Sequence, residues 1–332
     1  MNETIATGHA VRCMSIAAQL RKKGIEYLFI VSDTISADFI RLNGYETTVL
    51  GVDWKSKDSE IDLLKGIIKT RQIIILLIDS YDITNRYLSE LSSHVKIVYL
   101  DDYCNNTYNV SAIIHYIIGA DKQRISNIYI NAHTNLLIGS VYAPLRNEFS
   151  ILKPKIRSKV ENVLVITGGT DKLDIASLIV NYLADNQSFQ EITFHIVLGK
   201  YASEVQTPIK SSKVVYHRNV TLMADLMQSC DAAISAGGTT LYELCACGIP
   251  SVSVCIADNQ VTNVQQFNQY GIIPYAGDMR TDQSNSLNCI SKLLLVYIHN
   301  IQVRYKHSEL MRAHVDGKGA ERIVDFLINL LA

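Results

Sequence analysis

No run of about 20 apolar residues, the length a membrane span needs, occurs anywhere in the 332-residue chain. The longest apolar run is "IIILLI" at 73–78, so membrane insertion is not expected. The opening "MNETIATGHAVRC" lacks a basic stretch followed by an apolar core, so no signal peptide is expected either. Charge of one sign is also lacking. Lys and Arg number 31 against 32 Asp and Glu, a net charge of -1, which argues against a nucleic-acid partner. The seven cysteines are odd in number and contain no C-x-x-C pair, which reads as reduced thiols in the cytoplasm. Cys245 and Cys247 fall two apart in an expected helix and so point to different faces, a poor spacing for a metal. No His, Asp or Glu spacing suggests a metal site, and no metal or cofactor is expected. A P-loop is absent, and so is a full G-x-G-x-x-G, which disfavours a dinucleotide oxidoreductase. There is no internal repeat and no low-complexity segment.

Apolar residues are plentiful at 48%, and charged residues make up 19%, as in a globular chain with a large buried sheet. The length suits two domains of roughly 150 residues each. Apolar runs alternate with amphipathic stretches: "YLFIVS" (27–32), "IIILLID" (73–79) and "VKIVYLDD" (95–102) each adjoin a helix-like segment. These runs are continuous rather than alternating, the pattern of parallel strands buried on both faces. Several end in Asp or Ser, at Ser32, Asp33, Asp79, Ser80, Asp101 and Asp102. Such positions either face a ligand crevice or cap the next helix, and the pattern leaves both open.

"RNEFSILKPKIRSKVEN" (146–162) is charged, carries Pro154, and reads as the linker. A second α/β series follows, with strands at "VLVITGG" (163–169), "ITFHIVLG" (192–199), "KVVYH" (213–217), "DAAISAGG" (231–238) and "IPSVSVCI" (249–256), and a helical tail from about 286. The expected architecture is two α/β domains, 1–152 and 153–332, with a cleft between them.

"AISAGGTTLYELCACGIPSV" (233–252) is the most informative stretch. Gly237 and Gly238 at a strand end allow close backbone approach, and the amides of Thr239 and Thr240 open a helix whose N-terminus favours a phosphate. Glu243, one turn in, has the lone pairs to accept from two ribose hydroxyls, or is simply a surface Glu. Gly168, Gly169 and Thr170 in "VITGGTD" form a second anion-binding turn, and two such turns fit a diphosphate. Asn259 and Gln260 in "ADNQ" are amides able to bond sugar groups, or polar loop residues ahead of a helix. His9, at the first strand–helix turn, is a general base if neutral, or a structural His.

"IATGHAVRCMSIA" resembles the "GTGHxxRCLxLA" opening of the PseG-type UDP-sugar hydrolases of pseudaminic acid biosynthesis and of the related spore-coat polysaccharide proteins. Further matches follow in the same order: "IDSYDI" (78–83), "YLDDY" (99–103), "GSVYAPLRNEF" (139–149), "VLVITGGTD" (163–171), "SAGGTTLYELCACGIPSV" (235–252) and "ADNQ" (257–260). The second domain more distantly resembles the UDP-GlcNAc-binding half of MurG and other GT-B glycosyltransferases. The resemblance implies a GT-B-like fold of two Rossmann-like domains, acting in the cytoplasm, with a monomer favoured. It implies metal-independent hydrolysis of UDP-2,4-diacetamido-2,4,6-trideoxy-altrose to UDP and free sugar, water attacking the anomeric carbon with inversion.

His9 corresponds to the family's opening His, as base or water-positioning group, and Gly8 and Arg12 belong to the same motif. The diphosphate would lie against 168–170 and 237–240, and Glu243 would take the ribose. The backbone at Asn219 and Val220 would face the uracil, and Asn259 and Gln260 would meet sugar or phosphate. Tyr81, Tyr142 and Arg146 would line the first-domain side. A GT-B glycosyltransferase using the same donor is the alternative, and a non-catalytic nucleotide-sugar-binding protein is a third reading.

This chain departs from the family pattern twice. The family begins with a strand ahead of the Gly-His turn, and here that first strand is missing or short. An unpaired slot in the first sheet is therefore expected. After "LDDY", "CNNTYNVSAIIHYIIGA" replaces the family's acidic residue and Asn-Gln-type strand end, which leaves the sugar open.

Overall fold

A computed structural model describes residues 8–53, 55–81, 83–130, 132–168, 174–198 and 213–331. The chain divides into two compact units, Met1–Asn147 with Lys318–Ala332, and Glu148–Gly317.

The first unit opens with helix α1 (Gly8–Lys22), followed by β1 (Phe29–Val31), α2 (Thr34–Leu42), β2 (Thr47–Val49), α3 (Ile61–Thr70) and β3 (Ile75–Ile78). It continues with α4 (Asn85–Ser92), β4 (Lys96–Leu100), β5 (Ala112–His115), α5 (Lys122–Ile128) and β6 (Asn135–Ile138). β3, β4, β5 and β6 form one parallel sheet in that order. β1 and β2 form a separate parallel pair. The core lies between α3, α4 and the larger sheet, where Leu91, Ile97 and Ile113 are wholly buried. At Asp33 the capping reading holds, since its carboxylate accepts from the Ser36 amide at 2.7 Å and starts α2.

No described strand joins β1 to β3. The expectation about a first strand falls on residues 1–7, which lie outside the described residues. A cavity of about 1230 Å³ in the first unit is lined by residues of β1, β3 and α1.

The second unit contains β7 (Asn162–Ile166), α6 (Ile175–Ala184), β8 (Thr193–Leu198), β9 (Val214–Arg218), α7 (Met223–Ser229) and β10 (Ala232–Ala236). After these come α8 (Thr240–Cys247), β11 (Ser251–Cys255), α9 (Val261–Gln269), β12 (Tyr275–Asp278), α10 (Gln283–His299) and α11 (Ile301–His314). Its six strands are all parallel, in the order β12-β11-β10-β7-β8-β9. Connections leave β7 and β10 in opposite directions, so the topological switch point lies between these two neighbours.

The boundary between the units, at Asn147/Glu148, falls inside the stretch read as a linker, and Lys153, Pro154, Lys155 and Lys159 are exposed. The stretch is tied down at a few points: Phe149 is wholly buried, Arg157 pairs with Asp231 at 2.9 Å, and buried Arg304 donates to the carbonyls of Arg157 and Ser158 at 2.9 Å each. One expectation needs correction. The tail, placed by sequence in the second domain, ends instead in the first unit. There α12 (Gly319–Leu331) packs against α1 through an amphipathic face that buries Ile323, Val324 and Leu327. Gly319 allows this close start, because a Cβ there would fall 2.1 Å from the Ala143 carbonyl oxygen.

Candidate functional site

The first unit gathers polar groups around the start of α1. His9 lies in the first turn, and its Nδ1 is 2.6 Å from Asp79 Oδ1, just past the end of β3. Arg12 Nε donates to the other oxygen of Asp79 at 2.6 Å, and its Nη2 also donates to Oδ1. The same guanidinium donates to Asp102 Oδ1 at 2.8 Å and to the Tyr116 hydroxyl at 2.7 Å. Tyr81 donates to Asp102 Oδ2 at 3.2 Å and sets its ring edge-on to His9, with centroids 4.6 Å apart. His9, Arg12 and Cys13 recur at helical spacing on one face, while the aspartates and Tyr116 follow the ends of β3, β4 and β5. The parallel register brings those ends together.

Burial by itself would raise the Asp79 carboxyl. The Arg12 guanidinium and the hydrogen bonds from Arg12 and His9 outweigh it, and the carboxyl is held well below the usual carboxylate range. Burial pushes the Tyr116 hydroxyl up to about 12, so it stays protonated. An ionised Asp79 can only accept, so the proton of His9 sits on Nδ1 and the Nε2 lone pair is left available as a base. This carboxylate–imidazole pairing follows the logic by which a buried acid orients a catalytic histidine.

The second unit places its predicted residues along the carboxyl edge of the sheet. Gly168 follows β7 with φ +95°, and Gly237 and Gly238 follow the adjacent β10, so the two turns flank the switch point. Gly169 and Thr170 lie outside the described residues. Thr239 precedes α8, Thr240 opens it, and the half-buried Glu243 is in its first turn.

The glycine at 237 has a packing reason that the ligand reading overlooked. A Cβ there would fall 2.3 Å from Val264 Cγ1 on α9. Gly237→Ala is expected to lower stability by about 1–3 kcal/mol through overpacking, read as a shifted urea midpoint. Gly238, by contrast, has nothing within 4 Å of a built Cβ.

Gln260 is engaged in the fold, its Oε1 accepting from the Ile256 amide at 3.0 Å, while Asn259 is exposed. Asn219, with φ +52°, turns the chain after β9 and is exposed, and Val220 beside it is half-buried. Tyr142 ends a short 3-10 turn after β6, and Arg146 follows it; both are half-buried.

Sequence reasoning missed Asp79, Asp102 and Tyr116 as partners of Arg12, although it had marked both aspartates as polar strand ends. It also missed Asn263. That amide donates to the Gly237 carbonyl at 2.8 Å and accepts from the Tyr242 hydroxyl at 3.3 Å, holding the glycine turn from α9. No sequence signal distinguished Asn263 from other polar helix residues. Among the described residues no cluster of three or more His, Cys, Asp or Glu could hold a metal ion, and no helix is long and apolar enough to cross a membrane.

Residues 163–308 match the glycosyltransferase family 28 C-terminal domain. The solved structure of Acinetobacter baumannii MurG aligns over 97% of this chain and 96% of its own, at TM-score 0.66 and 12% identity. That likeness shows a two-domain GT-B-like fold. The spore coat polysaccharide biosynthesis protein SpsG of Bacillus subtilis is 23% identical over 97% of this chain and 94% of its own length. The bifunctional pseudaminic acid cytidylyltransferase and UDP-2,4-diacetamido-2,4,6-trideoxy-beta-L-altropyranose hydrolase of Helicobacter pylori is 24% identical over 81% of this chain and 46% of its own. The chain is thus similar to the SpsG and PseG-type proteins, with a glycosyltransferase-like domain in its second unit and a MurG-like fold. The chain spans about half the length of two of the curated relatives it matches. The opening motif that carries the family likeness is also the one that supplies His9 and Arg12 to the buried cluster.

Proposed function

We propose that this chain is a member of the PseG/SpsG family and hydrolyses a UDP-linked diacetamido-trideoxy-hexose to UDP and the free sugar. The observation that carries the reading is the His9–Asp79 pair, clamped by Arg12. In this reading His9 Nε2 takes a proton from water as the water oxygen bonds to the anomeric carbon from the face opposite the leaving group. The bond from that carbon to the phosphate oxygen breaks, UDP leaves with the electron pair, and the configuration inverts. Asp79 fixes the tautomer and stabilises the imidazolium that forms. Tyr81, Tyr142, Arg146 and the start of α1 at Gly8 border the sugar and the water.

The second unit holds UDP. The turn at Gly237–Thr240 and the start of α8, with Gly168 to Thr170, meet the diphosphate, whose charge the amides stabilise without a metal. Glu243 takes the ribose, Asn219 and Val220 the uracil, and Asn259 the sugar or phosphate. Gln260 acts through the loop it anchors. The protein acts in the cytoplasm as a monomer, in surface-polysaccharide or nonulosonic-acid synthesis. Asn263→Ala is expected to weaken UDP binding about threefold to tenfold by freeing the glycine turn, with little change in turnover at saturation; calorimetric titration with UDP checks this.

The match to the family 28 domain supports a second reading, a transferase in which an acceptor hydroxyl replaces water. UDP release followed by NMR from UDP-2,4-diacetamido-2,4,6-trideoxy-altrose, with no acceptor present, separates the two. Release identifies the hydrolase. UDP binding without release moves the assignment to a transferase, another sugar or a binding protein.

A further inference from the structure

In the stretch "YLDDY" (99–103), Asp102 clamps Arg12, while Tyr103 stands further out. Tyr103 is 60% exposed, yet it sits between two buried anchors, Asp101 and Cys104. Its ring lies against that of Tyr81, with centroids 5.8 Å apart and planes tilted by 45°. Tyr81 in turn meets His9, with centroids 4.6 Å apart. The three rings form a continuous aromatic row that runs out from the proposed base. Tyr81 and Tyr103 follow the carboxyl ends of the paired strands β3 and β4.

The row is held in place by the fold. The Asp101 carboxylate accepts from the Tyr103 amide at 2.9 Å, and the Asp101 carbonyl accepts from Nδ1 of buried His115 at 2.8 Å. The Asp101 amide donates to the Ile114 carbonyl at 3.0 Å. Asp102 is fixed by Arg12 on one side and by the Tyr81 hydroxyl on the other. Exposed tyrosines are common on protein surfaces. One on a pinned loop, extending a row from a histidine, is a preformed contact face that costs little entropy to use.

That face selects a chemistry. An aromatic face is apolar and carries negative quadrupole charge, so it favours C–H and methyl groups over hydroxyls. Resting on the hydrolase reading, the sugar carries acetamido groups at C2 and C4 and a methyl at C5, where a common hexose carries hydroxyls and a hydroxymethyl. We infer that Tyr103, backed by Tyr81, is a specificity-determining residue that packs against the methyl-bearing side of this sugar. A hexose with hydroxyls in those places loses water against the ring and gains no hydrogen bond from it.

The test uses the full chain carrying His9→Gln, so that the sugar nucleotide is not consumed. Calorimetric titration compares UDP-2,4-diacetamido-2,4,6-trideoxy-altrose, UDP-N-acetylglucosamine and UDP. Adding Tyr103→Ala should weaken the first about tenfold and the second about threefold or less, and leave UDP unchanged. Tyr103→Phe keeps the ring and should keep the affinity, which separates the ring from its hydroxyl. Equal weakening of all three ligands overturns the inference. So does unchanged affinity for the trideoxy sugar in Tyr103→Ala, or a loss in Tyr103→Phe that matches it. The readout is binding, so the two readings fail separately. A wild-type chain that binds the trideoxy sugar nucleotide and releases no UDP ends the hydrolase reading, while the Tyr103→Ala loss still upholds this face.

Discussion

His9→Ala lowers acceptor-free UDP release by about 10²- to 10⁴-fold, the range that removal of a general base produces. The argument rests on geometry. His9 Nδ1 is committed to Asp79 at 2.6 Å, so only Nε2 is free to receive a proton. His9→Gln should fall nearly as far, because an amide offers polarity and size but does not take up the proton. The side chain is 18% exposed, so neither change should greatly disturb folding. UDP affinity should also survive, since the proposed UDP groups lie in the other unit. Single-turnover release by NMR, with UDP titration as the control, checks both points. Full turnover in His9→Ala would remove the imidazole from the mechanism.

Asp79→Asn affects stability and turnover together. The carboxylate side chain is 2% exposed and receives Arg12 on both oxygens, with His9 on one. Neutralising it leaves the Arg12 guanidinium, itself 8% exposed, with part of its compensation gone, although Asp102 remains. Removing one partner of a buried ion pair costs about 3–5 kcal/mol, measurable by urea unfolding. Turnover should drop by up to about 10⁴-fold, because an amide that donates to Nδ1 imposes the wrong tautomer on His9. The pH dependence follows from the depressed carboxyl. Its stabilisation is full above the unfolded-state value of about 3.9 and is lost as pH falls toward the lower folded value. The stability gap between wild type and Asp79→Asn should therefore narrow below about pH 4. A gap that stays constant to lower pH would contradict an ionised, paired Asp79.

Much of the fold was legible because parallel strands leave a plain trace. "VKIVYLDD" and "DAAISAGG" are continuous apolar runs ending in polar or glycine residues, and both became strands at 96–100 and 232–236. The first boundary of the units, at Asn147/Glu148, falls inside the charged stretch 146–162, but the return of the chain to the first unit after Gly317 was not legible, because helix α12 carries no local sign of which unit it packs on.

By itself, the sequence determined the alternation of strand and helix, the two glycine turns at strand ends and the position of His9 at a helix start. Each follows from local rules: apolar periodicity, glycine's conformational freedom and the exposed amides of a helix N-terminus. Only the tertiary structure decided which aspartate orients His9, that Asn263 rather than a neighbour holds the glycine turn, and that α12 belongs with α1. The first two contacts join residues 70 and 26 positions apart, and the third joins the first helix to the last. A pairing across such distances is selected by sheet register and helix packing, which no local pattern encodes.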